Sequence, residues 1–105
     1  MKVIVVGPDR SIVDALEAEG AEVTSIDGVA SGERLEAAGV ADADVLVVTD
    51  VGEATGIPVA TELNPDLKTV AFTTDSVPEF VKGVLDLAVD PDLLDAETVA
   101  EEIVR

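Results

Sequence analysis

The chain contains no cysteine and no histidine. Without Cys there is no disulfide, no thiolate nucleophile and no sulfur-ligated metal site. Without His the commonest general base and the commonest transition-metal ligand are missing, so any metal site would be built from oxygens and would suit Mg or Ca. Tyr and Trp are absent as well, and two Phe are the only aromatic residues. Basic residues are scarce: six Lys plus Arg stand against 23 Asp plus Glu, a formal net charge of −17. Nucleic-acid binding needs a basic patch, and six scattered cations provide none. No apolar run approaches the length of a membrane span. The start lacks the basic and apolar regions of a secretory signal, so a cytoplasmic location is expected. No Ser sits in a nucleophile elbow, and a non-enzymatic role is expected.

What is present is a well-supplied core. Of 105 residues, 48% are hydrophobic, whereas a disordered acidic segment would be poor in them. The expected unit is one domain over residues 1–105. The acids are spread among Val, Ala and Leu, so they coat a folded surface, where their mutual repulsion opposes compaction at low salt. Low Lys, abundant Ala and Val and so few aromatics fit the salt-rich cytoplasm of a halophile. The thermal midpoint is therefore expected to rise with molar KCl, and a flat dependence would count against that adaptation.

Lys2 to Val6 is a short apolar run that suits a strand buried on both faces, and it breaks at Gly7. A helix is expected from about Arg10 to Glu19, with Ile12, Val13 and Leu16 on one face and Gly20 as its stop. Ala21 to Ile26 reads as a more polar edge strand, followed by a turn at Asp27-Gly28. Ser31 can cap a second helix, with Leu35 and Ala38 inward and Gly39 closing it. Val45 to Val48 is as apolar as the first strand and so belongs at the centre. A third helix is expected over about 56–63, with Pro58 tolerated in its first turn, and a fourth strand over 68–73. Ser76 to Glu79 has capping-box spacing for a short helix ended by Gly83. Leu87 to Val89 is a short outer strand. Asp75 and Asp90-Pro91 read as caps for the helices that follow them. Ala96, Val99, Ala100 and Ile103 then form a helical stripe.

Five strands alternating with five helices imply an α/β fold, a three-layer, doubly wound parallel sheet. The expected order is 2-1-3-4-5, the flavodoxin-like, Rossmann-like arrangement.

The residues Ala38 to Asp50, then Leu63-Asn64-Pro65, Phe80, Gly83-Val84 and Asp86 to Pro91, follow a rhythm that resembles the TrkA-N/RCK nucleotide-binding domain of potassium-transport regulators, in a halophilic archaeal form. Ser31 to Val40 resembles the helix after that family's third strand, so the resemblance implies a truncated sheet lacking one edge strand and its helix. It also implies a regulatory module binding NAD or an adenine nucleotide, linked to ion transport, and pairing as a homodimer through sheet-flanking helices.

The glycine fingerprint of such domains would need Gly at positions 7, 9 and 12, and the chain has Gly7, Asp9 and Ile12. Small residues there let backbone approach a pyrophosphate at a helix N-terminus, and Asp9 and Ile12 remove two of the three. Arg10 and Ser11 could compensate in part. Asp27 follows Gly7 by twenty residues, where a ribose-binding acid would lie. The winding reverses between the first and third strands, so Thr49 and Asp50 complete the candidate nucleotide site formed by Gly7, Asp9, Arg10, Ser11 and Asp27. The alternative for Asp9 and Asp27 is a helix cap and a turn.

Two other readings stand beside this one. In the first, the domain keeps the fold, has lost any ligand, and binds only proteins. In the second it is a degenerate receiver: Asp9, Asp50 and Thr73 or Thr74 resemble the receiver slots after the first, third and fourth strands, with Asp50 as acceptor. Receivers also need an acidic pair at the first slot and a Lys ending the fifth strand, where this chain has Gly7-Pro8-Asp9 and Val89-Asp90.

Overall fold

The computed structural model describes residues 1–104 apart from Asp9, Arg10, Gly28, Val29 and Asp75, and apart from the side chains of Val51 and Phe80. The strands are β1 (Lys2–Val6), β2 (Glu22–Ile26), β3 (Val45–Val48), β4 (Lys68–Phe72) and β5 (Leu87–Val89). The helices are α1 (Ile12–Ala18), α2 (Gly32–Ala37), α3 (Gly56–Leu63), α4 (Glu79–Lys82) and α5 (Ala96–Val104). All strands are parallel, in the order β2-β1-β3-β4-β5. The expected fold and strand order are those observed.

The near-continuous apolar strands have the reason anticipated for them: both faces of the sheet are covered. Side chains alternate across a strand. Ile4, Val6, Leu46 and Val48 therefore face α2 and α3, with Leu35 and Ile57 packed on them. Val3, Val5, Val45, Val47, Val70 and Phe72 face α1 and α5, where Ile12, Leu16, Val99 and Ile103 close the other layer. Gly56 lets α3 start against the loop before α2, since a Cβ there would lie 2.9 Å from the Cβ of Ala30. Asn64, almost fully buried, ties the end of α3 to the turn before β3: its Nδ2 donates to the carbonyls of Val40 (2.9 Å) and Ala43 (3.0 Å), and its Oδ1 accepts from the N–H of Asp66 (3.1 Å).

Ser31 caps α2 as expected, its hydroxyl accepting from the N–H of Arg34 at 3.2 Å. Two helix starts differ from the expectation. α4 begins at Glu79, not Ser76, with Pro78 at its N-cap; Pro78 disfavours helical backbone at Val77, so the capping box does not form. α5 begins at Ala96, not after Asp90-Pro91. Asp90 instead holds a turn, its Oδ1 accepting from the N–H of Asp92 (2.8 Å) and its carbonyl from Leu93 and Leu94. The cap of α5 is Asp95, whose Oδ1 accepts from the N–H of Thr98 at 2.8 Å. The proposed cap at Asp75 and the turn residue Gly28 lie outside the described residues.

Candidate functional site

The carboxyl ends of β1 and β3 lie side by side because Val6 pairs with Val48. The next residues, Gly7 and Thr49, therefore meet at the reversal of the winding. Thr49 is fully buried. Its N–H donates to the carbonyl of Val6 at 2.9 Å, and its hydroxyl lies 2.5 Å from the carbonyl of Pro8 and 3.2 Å from that of Val6. One hydroxyl proton serves one of these acceptors at a time. Either way Thr49 ties the end of β3 to the strand and loop beside it.

Gly7 has φ +107°, a conformation that side-chain-bearing residues rarely adopt. A Cβ at position 7 would stand 2.6 Å from Thr49 Oγ1 and 2.9 Å from the Cβ of Asp50. The glycine is needed for close approach to Thr49 and Asp50, and its permissiveness is not spent on opening a cradle.

Asp50, one residue further, is exposed and turns back on its own loop: its Oδ1 accepts from the N–H of Gly52 at 2.9 Å. Glu53, from the same loop, reaches across to accept from the N–H of Ala30 at 3.3 Å. Thr73 follows β4, is nearly buried, and donates its N–H to the carbonyl of Val89 at 3.1 Å. Thr74 beside it is exposed. β5 is followed by the Asp90 turn.

The residues singled out in the sequence fall around the ends of β1, β2 and β3: Val6 pairs with both Ile26 and Val48, and the N–H of Gly7 donates to the carbonyl of Ile26 at 3.3 Å. Gly7, Thr49 and Asp50 come together. Asp27 is exposed at the end of β2, and its carbonyl accepts from the guanidinium of Arg34. Ser11 has φ 68° and makes no side-chain cap to α1. It lines an acidic groove between α1 and α5, with Asp14 and Glu97. Asp9 and Arg10 lie outside the described residues. Among the described residues no three Asp or Glu gather as a metal-binding group. The strongest titration effect belongs to the structural cap Asp95: hydrogen bonds from the side chain and the N–H of Thr98 hold its carboxyl below the ordinary value of 3.8.

The Thr49–Gly7 contact is what sequence reasoning missed. The signal was the register: if β1 and β3 pair centre to centre, a residue directly after each strand must face the other. Thr49 had been grouped with Asp50 as a ligand contact, yet it is a buried fastening of the edge.

Known structures with this fold include response regulators and two Burkholderia pilus assembly proteins. An orphan response regulator of H. pylori superposes with a TM-score of 0.75 at 14% identity, covering 100% of this chain and 97% of that one. A response regulator from Thermotoga maritima gives 0.71 at 17% identity, over 98% and 96% of the two chains. A CheY-like receiver domain protein from Methanospirillum hungatei gives 0.69 at 21%, over 97% and 89%. The fold class is thus the flavodoxin-like fold of CheY-like receiver domains. Within it, residues 3–103 match the model of a family of unknown function, DUF7126, and the chain belongs to that family. No curated protein matches the chain in sequence.

The resemblance to the TrkA-N/RCK family is thereby corrected: the matching family is another, and the structural relatives include receivers. The rhythm of Ala38 to Pro91 is that of any parallel α/β domain with apolar strands and glycine-closed helices. The five-stranded sheet corresponds to these response regulators over nearly the whole of both chains. The nucleotide-binding reading, with NAD or an adenine nucleotide as its ligand, falls with it. Physically, the turn at Gly7 is occupied by the approach to Thr49 and Asp50. No helix among the described residues is long and apolar enough to cross a membrane.

Proposed function

We propose that this chain is a non-enzymatic, receiver-like protein-interaction domain of the cytoplasm that works without taking up a phosphoryl group. The observation that carries this reading is the contact of Gly7 with Thr49. In the receiver pattern the first strand ends in an acidic pair. At position 7 any side chain would run into Thr49 Oγ1 at 2.6 Å, so a carboxylate cannot occupy that point. Asp50, which closes on that point, is engaged with Gly52 in its own loop. The residue after β5 is Asp90 in place of the expected Lys. A phosphoryl group added there would meet the negative charge of Asp90 where the receiver pattern supplies a neutralising Lys, and like charges at close range disfavour it strongly. Gly7 and Pro8 also supply no carboxylate to a divalent ion, where the receiver pattern has an acidic pair. What the fold retains is a rigid sheet and helix surfaces on which a partner can dock.

Incubation with acetyl phosphate and Mg, followed by intact-mass and peptide mass spectrometry, tests this. The mass is expected to stay unchanged. Gain of one phosphoryl group on Asp50 would overturn the proposal and restore Asp50 as an acceptor.

A further inference from the structure

Among the described side chains, the sheet face over β4 and β5 on the α4 side is hollow. Ala71 of β4 and Ala88 of β5 are paired in register, so two of the smallest side chains lie next to each other. The helix above them, α4, is a single turn of four residues, whereas α3 and α5 have eight and nine. One turn cannot roof two strands. Ala88 is left exposed while its partner Ala71 is buried, and a cleft of about 410 Å³ runs between the strands and α4, with Val77 and Leu85 in its wall. That volume lies within the usual range for binding pockets, roughly 300–1,000 Å³.

The surroundings say what would fill it. The walls and floor are apolar, and Val84 and Leu87 beside it are 39% and 38% exposed. The charged groups around it are mostly acids. Asp86 and Asp90 line the cleft together with Lys82, Thr73 and Thr74, Asp86 Oδ2 accepts from the N–H of Thr69 at 2.7 Å, and Lys82 already pairs with Glu79 at 3.0 Å. The described charges at the cleft are thus three carboxylates and one ammonium group that is itself paired. A second copy of the chain would bring the same negative rim and another net charge of −17, and like charges facing each other across an interface oppose association.

We propose that this cleft is the docking site for a segment of a partner protein carrying one large apolar side chain flanked by Lys or Arg. The apolar side chain fills the hollow over Ala71 and Ala88, and the flanking cations meet Glu79, Asp86 and Asp90. This rests on reading the chain as an interaction domain and names the partner chemistry that such a domain would select. Apolar anchors in pockets carry most of the energy of such interfaces, while rim charges set partner choice.

The test is NMR titration of the isotope-labelled full chain with a short synthetic peptide of lysines around a central phenylalanine. Two control peptides replace the phenylalanine by alanine or the lysines by glutamates. Amide shifts are expected at Ala71, Thr73, Lys82, Leu85 and Ala88, with both controls weakened at least about tenfold. Ala88→Phe fills the hollow from an exposed position and is expected to weaken binding by a similar factor while the rest of the spectrum keeps its folded pattern. Lys82→Glu makes the rim more acidic and is expected to tighten binding about threefold, a change of sign that a loss of folding would not produce.

The proposal is overturned if no peptide binds, if the shifts fall instead in the acidic groove between α1 and α5, or if Ala88→Phe binds like the parent. It is also overturned if the cleft amides are buried by self-association in light scattering, or if indole alone binds as tightly as the peptide. The acetyl phosphate experiment is read separately. Phosphorylation of Asp50 would sink the functional reading whatever the peptide does. Absent peptide binding with an unchanged mass would sink only the assignment of the cleft.

Discussion

Over β1 and β3 the face beneath α2 and α3 is filled: Val6, Leu46, Val48 and Ile57 are all 3% exposed or less. Over β4 and β5 the same face carries alanines, and Ala88 stands open beside a one-turn helix. The two ends differ in side-chain volume and in helix length, and both follow from local sequence. β-Branched residues on β1 and β3 pack against eight residues of α3. At the other end Pro78 delays the start of α4 and Gly83 follows its last residue. The difference teaches that this domain concentrates its stability in the centre of the sheet. Its β5 side is free to carry a surface whose shape the fold does not need.

The sharpest way to break that contrast is to disturb the closed centre. Gly7→Asp places a side chain at φ +107° and 2.6 Å from Thr49 Oγ1. A loss of about 3 kcal/mol or more is expected in urea unfolding, from backbone strain together with overpacking. Near-parental stability would show that the edge can open to admit a carboxylate. Asn64→Ala attacks the same filled half from below, removing three hydrogen bonds around a nearly buried amide. It is expected to cost about 2–3 kcal/mol, with the carbonyls of Val40 and Ala43 left short of a donor. The opposite end should respond differently. Ala88→Phe, an enlargement at an exposed site, is expected to change stability by no more than about 0.5 kcal/mol. A large loss there would mean that the β5 side is as tightly packed as the centre.

The smallest effect separates a local cap from both ends. Asp95→Ala removes the acceptor for the N–H of Thr98. Because the folded carboxyl titrates below 3.8, its contribution is present above the ordinary carboxylate range and is lost as pH falls through the lower folded value. The thermal midpoint of the variant is therefore expected to lie slightly below the parent at neutral pH, and the two should converge in strong acid. A difference that persisted in strong acid would assign the effect to something other than the charged cap.

Much of the fold was legible because it depends on local periodicity. Lys2 to Val6 and Val45 to Val48 are uninterrupted apolar runs, and only strands covered on both faces need that. Gly20 and Gly39 closed their helices through positive φ, and Ser31 capped α2. The helix starts at Ser76 and Asp90 were misplaced because a cap signature is short and occurs often by chance. A proline backbone effect overrode one of them, and a better-placed Asp95 overrode the other. The site was harder to read. Thr49 and Asp50 both crowd Gly7, but adjacency in sequence says little about which hydroxyl or carboxylate is buried against the next strand and which turns back on its own loop.

The sequence alone determined the parallel sheet, its central strands and its edge strands, because burial on two faces leaves a pattern in single segments. The tertiary structure alone decided what the carboxyl edge can do. A register that sets Gly7 against Thr49 and the start of Asp50 turns a nominal ligand loop into a closed contact, and a shift of one residue would have reversed every side chain. It also decided the hollow beside β5, which exists only because Ala71 and Ala88, seventeen residues apart, are brought into register under a helix too short to cover them.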